Sequence, residues 1–407
     1  MRVLLVHDYG TPTGGAELQM LALRDELRAR GHVVALLTSD ASLQPAAIES
    51  DFRCRGTTTR WQVVTQTVNP SAVLAMRRAL RDFRPDVVHV RMMLWQLSPA
   101  ILPLLRRVPA LYQAATYKAI CPTGTKLLPD GARCTDAPGR ACLRHGCLTP
   151  RSWGPLMVQH ALWERWRGVF RAVVALSHGM RVQLEAAGLA PVRVIHNGVA
   201  PREARPALHG TPVIAYAGRL SREKGVGVLL DAMASLVARH PALQLHVIGD
   251  GPDRGALEAQ VHARALTGHV TFLGHLDRAA MERTLDRAWV QVVPSLWAEP
   301  FGNVTTEAMM RGTAVVASEV GGQRDIVRHG IDGLLVPPGD AAALAAAIEP
   351  LLRDRERAEA LGLAGRARAL ASFSRGACTD RFVELYQAIR APGTSPVVAW
   401  REAREPA

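Results

Sequence analysis

Lysine is nearly missing from this chain: three of its 49 basic residues are Lys (Lys118, Lys126 and Lys224) and the rest are Arg. The bias reads as codon usage. No basic motif interleaved with aromatics accompanies it, so no nucleic-acid partner is expected. Long apolar runs are missing too. None approaches the ~18 to 20 residues that span a bilayer, and "LWQLSPAILPLL" (94–105) is interrupted by Pro99 and Pro103. The opening "MRVLLVHDYG" has no apolar run of leader length and reads as a buried first strand, which predicts a cytoplasmic protein. No low-complexity segment or short repeat occurs. "GDGPDRG" (249–255) is not a G-x-G-x-x-G fingerprint, which argues against a dehydrogenase. The Ser-His pair of "LSHGM" lacks the surroundings of a nucleophile elbow.

What is present points to two domains. A chain of 407 residues exceeds one core. In the first half, "MRVLLVHDY", "VVALLTSD", "DVVHVRM", "ALYQAAT", "AVVALS" and "VRVIHNGV" read as strands separated by amphipathic helices. In the second, "TPVIAYAG", "LQLHVIGDGP", "VTFLGHL", "VQVVPS", "AVVAS" and "GLLVP" repeat the plan. Continuous apolar strands alternating with helices predict parallel sheets covered on both faces. The Pro- and Arg-rich "APREARPALHGTP" reads as a linker. The expected units are 1–203, 204–380, and a final helix and tail at 381–407 that returns to the first domain; its last stretch, "PGTSPVVAWREAREPA", is expected to be poorly ordered. Two doubly wound α/β domains bind ligand at the carboxyl ends of their strands, here across a cleft.

Charge is unevenly shared. Residues 1–203 carry 26 basic against 14 acidic side chains, and residues 204–407 carry 23 against 22. A basic half beside a neutral one predicts that the first domain meets something anionic.

Two stretches carry chemistry. In "YAGRLSREKGVGVLL" a strand ends at Gly218, and Arg219 and Lys224 follow before a helix. Cations beside a helix N-terminus suit a diphosphate. In "WAEPFGNVTTEAMMRG" two acids, Glu299 and Glu307, flank a turn. Gly302 permits close backbone approach, Asn303 reads as the N-cap, and Glu307 as a dipole-stabilised acid of the first turn, able to accept from ribose hydroxyls. Glu299, outside the helix, is left for the other end of a ligand.

"GRLSREKG", "VIGDGP", "FLGHL", the E-x(7)-E of "EPFGNVTTEAMMRGTAVVASEVGG" and "GIDGLLVPPGD", spread over about 215–340, resemble the retaining, GT-B-fold glycosyltransferases of family 4 (glycosyl transferases group 1). "TGGAE" (13–17) and "VIHNGV" (194–199) extend the likeness. The resemblance implies a nucleotide-diphosphate-sugar donor, a glycan or lipid-linked acceptor in cell-surface polysaccharide or glycoconjugate synthesis, no metal or other cofactor for catalysis, and retention of anomeric configuration. It implies that Arg219 and Lys224 neutralise the departing diphosphate and that Glu299 contacts the donor sugar. The amides of Gly302, Asn303 and Val304 would meet sugar or phosphate oxygens, Glu307 the ribose, and Gly15 the phosphates. The family's His-Asp before a Cys-Pro is replaced here by Ala115-Thr116; Tyr117, Lys118 or His89 would fill the role, or the acceptor would need none. A GT-B epimerase or phosphorylase, or a non-catalytic carbohydrate-binding GT-B protein, is the alternative reading.

Two further features lie in the basic half. "RSWGPLMVQHALWERWRGVFR" (151–171) mixes Trp153, Trp163, Trp166 and Phe170 with arginines. It can lie at an anionic membrane surface or pack inside the domain. Cys121, Cys134, Cys142 and Cys147, with His145 among them, fall in a Gly- and Pro-rich insertion without apolar periodicity. A structural zinc held by four thiolates, or by three plus His145, a redox-labile disulfide, and free thiols are the readings. The insertion is expected to shape the acceptor mouth.

Overall fold

A computed structural model describes residues 1–12, 14–42 and 47–391; the expectation for the tail after 391 lies outside the described residues. The first half contains β1 (Arg2–Tyr9), β2 (Val33–Ser39), β3 (Phe52–Cys54), β4 (Val87–Val90), β5 (Ala110–Gln113), β6 (Ala172–Ala175) and β7 (Val192–Val194). They form one parallel sheet in the order β3-β2-β1-β4-β5-β6-β7. The second half contains β8 (Val213–Ala217), β9 (Gln244–Ile248), β10 (Val270–Gly274), β11 (Val290–Val293), β12 (Ala314–Ser318) and β13 (Leu334–Val336). Their order, again parallel, is β10-β9-β8-β11-β12-β13. These are the two doubly wound α/β units of a GT-B fold.

Strand sequence explains the layers. In β1 the residues Val3 to Val6 are all fully buried, because helices cover both faces. Alternate residues feed opposite cores: Leu4 and Val6 join Ala35, Leu37, Val88 and Val90, while Val3 and Leu5 join Val34, Leu36 and Val87. In each sheet the order reverses beside the first strand, β1 or β8, so the loops leaving those strands open into a crevice. The strand that sequence patterning overlooks is β3, three residues long with Arg53 exposed in its middle.

The chain crosses between the sheets twice, and the crossings are fastened together. Val199 donates its N–H to Phe373 O (2.7 Å), and Arg375 donates to Val199 O (2.9 Å). Gly198 allows this approach, since a Cβ there would stand 2.7 Å from Arg375 Cα. Ser374 caps the last helix, Arg375–Arg390, which lays Phe382, Leu385, Tyr386 and Ile389 against Val3, Leu5, Met20 and Leu27. Each such side chain contributes about 1.5–3 kcal/mol by burial. The segment at 200–212 is irregular, as its Pro and Arg content predicts.

The aromatic segment packs inward. Trp163, on the Pro150–Trp166 helix, is fully buried between Tyr112 and Phe170, and Trp153 Nε1 donates to Gly139 O. Trp163 and Phe170 thus belong to the domain interior, while Trp153 and Trp166 are half-buried. Among the described residues no helix is long and apolar enough to cross a membrane.

Candidate functional site

The loops after β1, β8 and β11 meet at the cleft. After β8, Arg219 is exposed at the mouth and its guanidinium makes no ion pair among the described residues. Lys224 turns instead to Glu299, Nζ to Oε1 at 2.7 Å, and Ser295 Oγ donates to the same oxygen at 2.5 Å. The Lys224 ammonium also stands 5.7 Å from the Trp297 ring centre. The cation and acid read from separate motifs are therefore one ion pair, half-buried in the cleft wall.

The acidic loop leads into the Asn303–Arg311 helix. Gly302, not Asn303, is its N-cap, with φ +136°, a backbone conformation that glycine reaches without strain. A Cβ at Gly302 would also stand 2.7 Å from Gln323 Nε2. The Asn303 side chain points across the cleft instead. Its Oδ1 accepts from Asn197 Nδ2 (2.9 Å), Asn197 Oδ1 accepts from Arg91 Nη2 (3.0 Å), and Arg91 Nη1 donates to Gln113 (3.0 Å). This polar chain joins the two sheets, and nothing in the sequence spacing marks it. Glu307 likewise lies beyond the first helical turn, so the helix dipole does not stabilise it, contrary to the expectation from sequence. Its carboxylate is solvent-accessible and accepts no hydrogen bond among the described residues. The surrounding protein wall nevertheless raises its pKa by desolvation, which Arg311, Arg278 and Arg375 oppose.

From the opposite sheet, the Gly15–Ala29 helix starts against Asn303. A Cβ on Gly15 would lie 3.2 Å from Asn303 Nδ2. Two helix N-termini, at Gly15 and at Gly302 to Val304, thus meet at Asn303, and the Lys224–Glu299 pair lies on the loop that leads into the second. The Gly302–Val304 amides beside Lys224 favour an anion, whereas at the Gly15 end the first-turn Glu17 carboxylate already lies over Gly14.

Of the substitutes for the absent His, Tyr117 reaches the acidic loop. Its hydroxyl donates to Ala298 O (2.9 Å) and accepts from Gln183 Nε2 (3.1 Å). Lys118 is buried, with Nζ on Pro122 O and 4.1 Å from the Trp95 ring centre. Burial brings its pKa down to about 8 against the pull of Asp8. Asp8 itself is pushed up to about 6 by burial, although the amides of Trp95, Gln96 and Leu97 donate to it. His89 is sealed between Tyr386 Oη (2.7 Å) and Gln113 Oε1 (3.0 Å), its pKa lowered to about 3 by burial and by Arg91. It does not reach the cleft.

His178 and His196 hydrogen-bond across to Asp325. His178 N (2.7 Å), His178 Nδ1 (2.9 Å) and His196 Nε2 (3.1 Å) all meet Asp325 Oδ2. Among the described residues this is the one group of three metal-type donors within 4.8 Å of one another, and its hydrogen bonds already account for it. Cys121, Cys134, Cys142 and Cys147 are free thiols lining one pocket with His145.

Known proteins share this plan. The family profile for glycosyl transferases group 1 matches residues 201–368, and that for glycosyltransferase family 4 matches 13–203. The chain is 34% identical over 212 residues to a glycogen synthase of Mycobacterium tuberculosis, a match spanning about half of each protein (51%). It is 29% identical to a phosphatidyl-myo-inositol mannosyltransferase of Mycobacterium leprae over 98% of this chain and 100% of the other. Among solved structures, a sucrose-phosphate synthase from Thermosynechococcus elongatus superposes with TM-score 0.72 at 26% identity, covering 96% of this chain and 99% of its own. Anabaena Alr3699/HepE in complex with UDP-glucose does so with TM-score 0.67 at 21% identity, covering 95% and 100%. With one profile on each sheet and GT-B enzymes superposing on the whole chain, the chain belongs to the glycosyl transferases of group 1 and family 4.

Proposed function

We propose that this protein is a retaining glycosyltransferase that moves a sugar from a nucleotide-diphosphate-sugar to a glycan or lipid-linked acceptor. The observation that carries the reading is the meeting of two helix N-termini, at Gly15 and Gly302–Val304, next to the loop that holds the Lys224–Glu299 pair. That UDP-glucose sits in a protein of the same fold supports a nucleotide-sugar in this cleft.

Each residue then has a role. The amides of Gly302, Asn303 and Val304 and of the Gly15 turn cradle the diphosphate. Arg219 and Lys224 meet the negative charge that grows on it as the glycosidic bond breaks, where preorganised charge lowers a barrier most. Glu299, held by Lys224 and Ser295, faces the donor sugar and steadies positive charge at its anomeric carbon. Glu307, with no protein partner of its own among the described residues, accepts from the ribose. These roles use only protein groups. The basic first half is the acceptor side, turned toward an anionic glycan or membrane surface.

The test is a panel of UDP-, GDP- and ADP-sugars, followed by thermal shift and by slow donor hydrolysis, with the anomer of the released sugar read by NMR. One nucleoside diphosphate raising Tm and one donor hydrolysed with retention is the expected result. No stabilisation by any of them would remove the reading, and an inverted product would remove retention.

A further inference from the structure

The segment from Cys121 to Cys147 presents a packing problem. From 125 to 150 not one residue is buried. A segment of this length without a core does not hold a shape by apolar contact, and small units in that position rely on a covalent or metal staple. Yet this segment is shaped. Leu127 and Arg133 bridge as an antiparallel pair, Leu128 N donates to Ala132 O (2.8 Å), and Cys134 N donates to Lys126 O (2.9 Å). A short helix, Ala141–Arg144, carries Cys142, and Leu148 N closes back on Cys142 O (3.1 Å) around Cys147.

The folding of the segment gathers its sulfurs. Cys121 opens a tight turn in which Gly124 N donates to Cys121 O (2.9 Å) with Gly124 left-handed at φ +81°. Thr123 Oγ1 lies 3.1 Å from Cys121 Sγ within this turn. The hairpin then brings Cys134 beside Lys126, and all four cysteines line one pocket, whose other walls include Ile120, Leu127 and Ala141. His145 also borders it, but its Nε2 is engaged by Asp136 Oδ2 at 2.7 Å. No pair of these cysteines is joined as a disulfide.

We propose that this segment is a zinc-binding module in which the thiolates of Cys121, Cys134, Cys142 and Cys147 hold one Zn²⁺ with tetrahedral geometry. Residue type and number match a closed structural site. No three of these donors lie within 4.8 Å of one another in this structure, so the ion would draw the sulfurs inward across the pocket. A segment without a core permits that movement. Binding is not redox: each thiol that becomes a ligand releases its proton to solvent. The module also has a place in the cleft. The hairpin tip reaches the loop after β8, where a Cβ on Gly131 would lie 3.7 Å from Arg222 Nε, three residues from Arg219. The ion would hold a finger that spans from the acceptor-side wall to the donor loop.

The whole protein, purified without chelator, is the material for the test. About one zinc per chain is expected by elemental analysis. Replacement by cobalt should give the intense visible bands of a tetrahedral site with thiolate-to-metal charge transfer. Cys134→Ser should lose the metal, and because the core is elsewhere it should keep near-UV dichroism while becoming sensitive to protease within 122–150. His145→Ala should keep the metal. Metal-free protein with four freely titrating thiols would overturn the proposal. So would a disulfide found by mass spectrometry, or loss of zinc on His145→Ala with retention in Cys134→Ser.

Discussion

The Lys224–Glu299 pair is where a single change should separate holding a ligand from converting it. Lys224→Met keeps the length of the stem and removes the charge, leaving Glu299 with Ser295 as its partner. The Lys224 and Glu299 side chains are 27% and 12% exposed and 2.7 Å apart. At an effective dielectric constant near 20 the Coulomb term for close charges is about 4 kcal/mol. Desolvation and side-chain entropy offset much of it, so a net of about 1.5–3 kcal/mol, typical of hydrogen bonds to charged groups, is the better figure. The lost positive charge should cost more when the diphosphate departs than when the donor binds. Turnover should therefore fall about ten- to a hundredfold, with a smaller change in donor affinity. The assay is a double-mutant cycle of Lys224→Met, Glu299→Gln and the pair, read as kcat and KM for donor hydrolysis and as stability in denaturant. A coupling of roughly 1–3 kcal/mol in stability is expected for groups in contact. Near-wild-type kcat in Lys224→Met would refute the leaving-group role, and additive effects would show that the contact is incidental.

Arg219→Ala should also lower kcat more than donor affinity, and Glu307→Ala should raise KM about ten- to a hundredfold with little change in Tm; equal kcat losses at constant KM for Glu299→Ala and Glu307→Ala would end this division of labour. Asp325 is buried, which would raise its pKa, but bonds from His178 and His196 hold it well below the usual carboxylate range. Its stabilising contribution is thus complete above its unfolded pKa of about 4 and fades as pH falls below that value. Asp325→Asn should lower Tm at neutral pH and flatten its decline on acidification; an unchanged Tm–pH curve would show that the two histidines contribute nothing through it. Flotation with anionic liposomes should show binding at low salt that is released at high salt, through the basic first half; no salt-sensitive binding would remove the membrane from the acceptor side.

Apolar strands such as "RVLLV" announce themselves because both faces of a parallel sheet are covered, and twelve of the thirteen strands among the described residues could be read that way. Length hid the other, since three residues with an exposed Arg53 give no period. Candidate site residues were readable where chemistry and local order coincide, as in the glycines and cations that close β8. Tertiary geometry was not. Lys224 and Glu299 belong to different motifs, and only the approach of β8 to β11 makes them partners. Asn303 looks like a cap because Asn usually is one, but Gly302 takes that position and frees the amide side chain for Asn197. The aromatic composition of 151–171 equally suits an interior or a membrane surface, and for Trp163 the contacts with Tyr112 and Phe170 decide for the interior.

The double fastening at Val199 and Phe373 to Arg375 acts as a pin. Two chain passages bonded side by side can swing about their common line, but sliding or pulling apart would break both bonds at once. Points close to that line travel little in such a swing, and points far out travel most. Asn197 stands two residues from Val199, and its partner Asn303 opens the proposed phosphate cradle. Any swing about that line would part the far rim of the cleft more than the Asn197–Asn303 contact beside it.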